Sequence, residues 1–421
     1  MIVGGGGREH ALAVKLSESP EVGRILCVPG NGGTALTEKC ENLEIRETEV
    51  LVRTAVEKKI DLAVIGPEVP LVEGIADRFR EAGVPCFGPG AKAAVLEGSK
   101  VFAKDFMRRH GVRTAGSRRF SRENLEETLK YLGSAEYPLV IKADGLAAGK
   151  GVSICDGPVE AEKVLRALFE EDHLGESGRS VLVEEFLEGR EVSVLVLCDG
   201  KTALPLLSAM DHKRVGDGDT GPNTGGMGVV APNPFFTREY EEDFHEHILT
   251  PSLRGLRAEG LDFRGVIFFG LMLQEGRCYI LEYNVRFGDP ETQAVLPLLE
   301  DDLFPLLMET AEGRLIKRKL SYRGGAACNV VLASEGYPGT YRKGLPVRLP
   351  RELRGFSPGM ETPVYIAGAE LHDNTLRTSG GRVLSVTGMA EDLPGARRKA
   401  YEAVERIEFE GKYYRRDIGA V

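Results

Sequence analysis

The chain has 421 residues, 54 of them basic and 64 acidic, for a net charge of −10. That length holds roughly two to four domains with ample cores, and the acidic balance excludes a general nucleic-acid binder while leaving room for a local basic pocket for a small anion. Seven cysteines lie scattered with no CxxC pair, which reads as buried reduced thiols and implies no zinc site. No apolar run approaches the roughly 18 residues that span a bilayer. No signal-peptide pattern opens the chain, so the expectation is a soluble, cytoplasmic protein without nucleic-acid or membrane partners.

Met1-Ile2-Val3 reads as the end of a strand, followed by Gly4 to Gly7, then Arg8-Glu9-His10 and the helical pattern Ala11–Leu16. A strand, glycines and a helix N-terminus make an anion site, because unpaired N–H groups and the helix dipole face one point. The dinucleotide fingerprint GxGxxG fails, since Glu9 or His10 stands at the third glycine position. A phosphate is therefore expected in preference to NAD. His10 reads as catalytic or, more commonly at such a position, as a packing or capping residue. Strands at 24–28, 62–65 and 86–87 alternate with helices at 49–58 and 72–82, which implies a parallel sheet with ligands at the strands' C-terminal ends. The loops there, 4–8, 30–33 and 66–68, are rich in Gly, Pro and Asn. Glu68 in the third could accept hydrogen bonds from sugar hydroxyls.

The pattern changes near Gly98-Ser99-Lys100. A helix over Lys100–His110 carries Phe102, Phe106 and Met107 on one face, with Lys104 beside that stripe as a snorkelling flank. A helix (122–132), a strand (139–142), a glycine loop, a strand (152–155), a helix (159–169) and strands at 180–184 and 192–198 form a small α+β lobe. Its loop runs from Lys142 to Val152 and contains Gly145, Gly149, Lys150 and Gly151. Glycines let the backbone approach a ligand closely, and two lysines bring positive charge to it, a combination suited to a polyphosphate. The P-loop pattern is absent, because Gly151 stands where Ser or Thr is needed. The bland alternative is a mobile turn.

The stretch 209–228 is rich in Gly, Asp and Asn, but Asp211, Lys213, Arg214, Asn223 and Thr224 argue for an ordered substrate loop over a linker. In 278–285, strand alternation puts Ile280, Glu282 and Asn284 on one face and Tyr279, Leu281 and Tyr283 on the other. A carboxylate and an amide two residues apart can reach one Mg²⁺, with phosphates and waters completing the octahedron. Arg286, Asp289 and Glu291 follow at once. From about Gly313 the strands 326–333, 346–349, 362–368 and 382–388, with an amphipathic helix 391–407, read as a separate, mostly structural α+β domain. A basic-aromatic tail follows at 413–419.

Taken in order, Gly6-Gly7-Arg8-Glu9-His10, Gly66-Pro67-Glu68, Leu96-Glu97-Gly98-Ser99-Lys100, the glycine loop, Asp211-His212-Lys213-Arg214, Gly221 to Gly228 and Arg286-Phe287-Gly288-Asp289-Pro290-Glu291 closely match one family. The chain resembles the ATP-grasp ligases, and within them the glycinamide ribonucleotide synthetases. The resemblance implies α/β and α+β architecture in three parts: a Rossmann-like N-terminal domain (1–99), an ATP-grasp domain (100–312, with a mobile glycine-loop lobe at about 115–190) and a smaller α+β C-terminal domain (313–421). It implies ATP contacts at Lys104, Lys142, Gly145, Gly149, Lys150, Gly151, Glu184, Glu185 and Leu187, with Glu191 as the ribose-binding acid. Glu282 and Asn284 match ligands of Mg²⁺ or Mn²⁺. Gly6, Gly7, Arg8, Asn31, Gly32, Glu68, Asp211, Lys213, Arg214, Asn223, Thr224, Gly225, Gly226, Met227, Arg286, Asp289 and Pro290 match positions that hold phosphoribosylamine and glycine. Arg286, Lys142, Asp211 and Asp289 are the catalytic candidates. A monomer is expected, with a weak dimer as the alternative.

Two features depart from the family pattern. The first strand looks about three residues short. The strand before Glu282, 266–272, carries no acid where many relatives have a metal ligand, so protein ligation of the metal should be thin. Three rival readings are a biotin-dependent carboxylase, against which the loops 211–214 and 221–228 argue; a non-catalytic nucleotide sensor, against which the intact Lys142, Glu282, Asn284 and Arg286 argue; and an NAD-dependent oxidoreductase, disfavoured by the missing glycine.

Overall fold

The computed structural model describes residues 1–146, 151–170, 179–353 and 360–420. Gly149 and Lys150 of the glycine loop lie outside the described residues.

The first part is a five-stranded parallel sheet in the order Cys40–Asn42, Ile25–Pro29, Ile2–Gly4, Ala63–Ile65, Cys86–Phe87. Its inner strands are short apolar runs buried on both faces, as parallel strands must be when helices cover them, while the edge strand Cys40–Asn42 is polar and partly exposed. The three Gly/Pro/Asn-rich loops all leave the C-terminal ends of its inner strands, and those at 4–8 and 66–68 reach the molecule's main cleft through Arg8, Pro67 and Glu68.

A second sheet, Ser117–Ser121, Ser180–Glu185, Leu139–Ala143 and Val152–Cys155, is antiparallel throughout. The helices Leu125–Leu132 and Pro158–Glu170 cover it, and it has its own small core around Phe120, Ile141, Leu165, Phe169 and Val183.

The third sheet has nine strands. Its main path runs Arg277–Asn284, Gly265–Gln274, Arg190–Cys198, Ala203–Asp211, Gly228–Ala231, Ala326–Ser334, Arg382–Ala390, Val364–Ile366, with Lys412–Tyr413 paired to Ala326–Ser334. The C-terminal strands, expected to form a sheet of their own, share this one. Gly228–Ala231 bonds to Met210-Asp211 on one side and to Ala327–Val330 on the other, so the C-terminal strands continue the sheet that carries Glu282. The helix Leu393–Glu405 packs its Ala396, Ala400, Ala403 and Val404 stripe under these strands, as its pattern predicts.

The hairpin that carries Glu282 turns at Glu275-Gly276, both with positive φ (47° and 75°), as a two-residue turn matched to strand twist requires. Strict alternation then fails along its second strand. Leu271 pairs with Ile280 while Gly270 pairs with Glu282, leaving Leu281 as an extra, bulged residue. Ile280 therefore joins Cys278 and Tyr283 in the core, whereas Leu281 lines the cleft together with Glu282 and Asn284. The bulge re-aims the two metal-ligand candidates, a recurrent use of bulges beside active sites.

All seven cysteines are free and six are buried. Among the described residues, no helix is long and apolar enough to cross a membrane.

Candidate active site

The three sheets enclose a cleft of about 1400 Å³. One wall is the helix Lys100–His110. Ser99 caps it by accepting from the Phe102 N–H at 3.1 Å, and Gly111 ends it at φ +69°. Ser99 Oγ also donates to Asp144 Oδ1 at 2.9 Å, and Lys100 Nζ donates to the Gly145 carbonyl at 2.8 Å. The start of the glycine loop is thus tied to the helix that carries Lys104.

Lys104 is not a solvated flank. It is 6% exposed and donates to Thr114 Oγ1 at 2.6 Å. Its Nζ lies 3.1 Å from Glu184 Oε1, and Lys142 Nζ lies 2.9 Å from Glu184 Oε2. One buried carboxylate so gathers two ammonium groups from different elements into a cationic site. Burial pushes the Lys104 pKa below its ordinary value, against the pull of Glu184.

Beside this charge lies an apolar slot formed by Ala115, Leu187 and Met272, with Tyr279 and Leu281 packed against them. Such a slot accepts a flat aromatic base. Glu185 stands at its rim and accepts from the Gly116 N–H at 2.7 Å. Glu191, farther along, pairs with Lys213.

Glu282 and Asn284 face the cleft from the strand end. Burial would raise the Glu282 pKa, but Lys213, Lys142, Lys100 and Arg286 outweigh it and hold the carboxyl below its usual range. Arg286 is gripped by two carboxylates, Glu68 at 3.2 Å and Glu97 at 3.1 Å. Burial would lower the arginine's pKa; these carboxylates reverse that and keep it charged. Glu97 also accepts from the Val285 N–H at 2.7 Å, locking the helix Ala91–Gly98 to the strand's exit. Glu97 is absent from the sequence-derived site residues, although it sits inside a quoted motif. Its place before Gly98-Ser99 at a helix end was the available signal.

Asp211 closes the other end. Its Oδ1 is buried with no hydrogen-bond partner among the described residues. Burial, then the nearby Glu291 carboxyl, push the Asp211 pKa well up. Glu291 is itself raised by burial and accepts from Ser193 Oγ at 3.2 Å. Asp289 behaves oppositely. Burial would raise it, but Arg382 and Arg8 hold it low, and it accepts from the Arg8 N–H at 3.2 Å and Gln293 Nε2 at 2.9 Å. Two aspartates that looked equivalent in sequence are thus set apart by their surroundings.

Arg214, Asn223, Thr224 and Gly225 line the cleft, as do Gly145, Gly151 and Arg8. Gly226 (φ +104°) packs against Pro290 and Asp211, where a Cβ would lie 2.5 Å from Pro290 Cδ.

At several other expected substrate positions the side chains or Cα positions are engaged within the protein. Asn31 is engaged internally: its Nδ2 donates to the Gly5, Gly6 and Ile366 carbonyls, and its Oδ1 accepts from Gly33 and Thr34. Gly32 packs against Leu376 and Ala369, where no Cβ would fit. Met227 is fully buried in the C-terminal core. At the first helix, the Gly6 N–H already has Glu9 Oε2 at 2.6 Å and the Arg8 N–H has Asp289, so two of its anion-binding donors have carboxylate partners. Gly7 lies against Gln293. His10 is structural: buried, with Nδ1 accepting from the Ile366 N–H at 2.8 Å and Nε2 3.0 Å from Thr37 Oγ1.

The C-terminal part contributes cleft residues that sequence reasoning did not single out. Arg382 donates to the Asp289 carbonyl at 2.8 Å and pairs with its Oδ1 at 3.2 Å. Arg415 and Asp417 also reach the rim.

Three family models match this chain: the N domain of phosphoribosylglycinamide synthetase over residues 1–97, its ATP-grasp (A) domain over 98–292 and its C domain over 327–421. A phosphoribosylamine–glycine ligase of Clostridium acetobutylicum is 48% identical, covering 100% of this chain and 99% of its own length. The crystal structure of the phosphoribosylamine–glycine ligase of Thermotoga maritima superposes with a TM-score of 0.86 at 37% identity, over 99% of each chain. The biotin carboxylase domain of Hydrogenobacter thermophilus 2-oxoglutarate carboxylase superposes at 0.74 with 17% identity, over 98% of this chain and 90% of that one, which shows a shared fold. By matches that run across all three of its parts, the chain belongs to the phosphoribosylglycinamide synthetase family.

Proposed function

We propose that the protein joins glycine to 5-phosphoribosylamine, using ATP, to give glycinamide ribonucleotide, ADP and phosphate in purine biosynthesis. The observation that carries this reading is the full-length family match on a cleft where Lys104, Lys142, Glu282, Asn284 and Arg286 converge. The base of ATP lies in the slot around Leu187, and its phosphates run toward Lys104 and Lys142. The terminal phosphoryl group passes to the glycine carboxylate, because a carboxylate oxygen leaves poorly and phosphate leaves well. The amine of phosphoribosylamine then attacks the glycyl phosphate. Charge spreads over the phosphoryl oxygens during transfer, so positioned cations supply most of the catalysis. Arg286, held charged by Glu68 and Glu97, is one such cation. Asp211, kept toward its neutral form, and the ionised Asp289 orient the ammonium of glycine, and Asp289, being ionised, is the one able to receive the proton that the attacking amine releases.

Glu282 and Asn284 offer hard oxygen donors suited to Mg²⁺ or Mn²⁺. No hydrogen-bond donor among the described residues occupies the Glu282 carboxylate, so it is available to a cation. Among the described residues no cluster of three or more His, Cys, Asp or Glu could hold a metal; Glu282 and Asn284 would hold it together with nucleotide phosphates and waters. The metal, when bound, neutralises charge on the transferring group.

The test is ADP release with each substrate omitted in turn. Dependence on both glycine and phosphoribosylamine is expected. Turnover supported by bicarbonate in place of glycine would refute the reading and favour a carboxylase. The working unit is a monomer, which sedimentation at assay concentration checks.

A further inference from the structure

The hairpin formed by Arg214–Gly216 and Thr220–Asn223 is a two-stranded sheet by itself. Its second strand is exposed along its length. An isolated hairpin of this kind is marginally stable in water, so something else must hold it beside the cleft. Segment 413–417 does so almost residue by residue. Tyr413 Oη donates to the Val215 carbonyl at 2.7 Å. Arg415 Nη1 donates to the Arg214 carbonyl at 3.0 Å and to Asp219 Oδ1 at 2.7 Å. Arg416 N–H donates to Asp217 Oδ1, and Gly218 N–H donates to Asp417 Oδ2, each at 2.8 Å.

Arg415 is the centre of this zipper. It is 1% exposed. Its Nε and Nη2 grip both oxygens of Asp417 at 2.7 Å, while Nη1 reaches across to the hairpin. A planar guanidinium fork can do this; an ammonium point charge cannot. Remove the cation, and the hairpin loses both bonds that Nη1 makes to it, while Asp219 and Asp417 lose the charge that draws them to one point. The seam is then left with the Tyr413, Arg416 and Asp417 bonds alone, and the hairpin loosens from the tail. The hairpin carries Arg214 and Asn223 and adjoins Lys213 and Thr224, all on the cleft.

Resting on the function proposed above, we propose that Arg415 is a positioning residue that orders hairpin 214–223 over the cleft and so sets how tightly glycine and phosphoribosylamine are held. Three variants test it: Arg415→Met, Arg415→Lys and Asp219→Asn. The Asp219 side chain is 69% exposed, so its replacement keeps the fold and decides the matter even if Arg415→Met does not fold. Hydrogen exchange should rise at amides 213–224 and stay low at 326–334. KM for glycine or phosphoribosylamine should rise about tenfold, the loss of one charge-assisted hydrogen bond, with a smaller change in KM for ATP and in kcat. Arg415→Lys should restore part of the KM loss seen in Arg415→Met. Unchanged exchange in the hairpin would overturn the proposal, as would raised exchange with unchanged KM for both substrates. Failure of the functional reading itself shows separately, as wild-type ADP release that ignores both substrates.

Discussion

Glu184 bridges Lys104 and Lys142 with its side chain 3% exposed, so Glu184→Gln removes the only negative charge in direct contact with either ammonium among the described residues. Breaking a buried ion pair from one side costs about 3–5 kcal/mol. Glutamine keeps one acceptor oxygen, and Lys104 and Lys142 retain Thr114 Oγ1 and the Leu281 carbonyl. The expected loss is therefore smaller, about 2–3 kcal/mol. For a folding unit of one to two hundred residues this lowers Tm by roughly 5–10 °C. Nucleotide phosphates would supply the missing charge, so an ATP analogue with Mg²⁺ should raise the Tm of the variant by more than it raises that of the wild type. Thermal scanning with and without nucleotide measures both quantities. An unchanged Tm without nucleotide would refute the buried-pair account. An equal deficit with and without nucleotide would refute the placement of phosphates at these lysines.

Arg286→Ala should lower kcat by about 10²-fold or more, by analogy with loss of an oxyanion donor; normal turnover would remove Arg286 from the chemistry. Asn284→Ala should shift the Mg²⁺ titration of activity to higher concentration, and an unmoved titration would count against ligation. Burial lowers the His10 pKa from its ordinary 6.5 to about 3. The unfolded chain therefore binds one more proton than the native one between those values, and stability falls as pH drops through this window. The contribution lost by pH 5 is about 2 kcal/mol. His10→Asn keeps an acceptor toward the Ile366 N–H and should flatten that part of the denaturation profile measured from pH 8 to 5; an unaltered slope would assign it to other groups.

Much of this molecule was legible in its sequence for a physical reason. Parallel βα units announce themselves through short apolar runs and glycine-rich loops, and a run such as Ser99 to Gly111 shows both its cap and its stop. What sequence could not show were partners that meet only in three dimensions. Lys104 reads as a flank until Glu184 and Thr114 are brought to it. Asn31 reads as a ligand until five backbone groups claim its amide. The bulge at Leu281 has no local signature, because nothing in Tyr279–Asn284 itself says that Gly270 will skip a residue on the opposite strand. Arg382 and Arg415 were invisible as cleft residues, since their positions depend on a long-range pairing between Gly228–Ala231 and Ala326–Ser334.

That pairing also limits how the enzyme can open. The parts carrying Glu282 and Arg382 share one hydrogen-bonded ladder through Gly228–Ala231, and swinging one against the other would tear it. Among the described residues, no strand of the 117–185 sheet pairs into that ladder. Its fastenings are individual bonds, such as Lys100 to Gly145 and Lys142 to Leu281. The geometry therefore leaves one sheet joined to the other two by single contacts, where Glu282 and Arg382 are joined to each other by a continuous ladder.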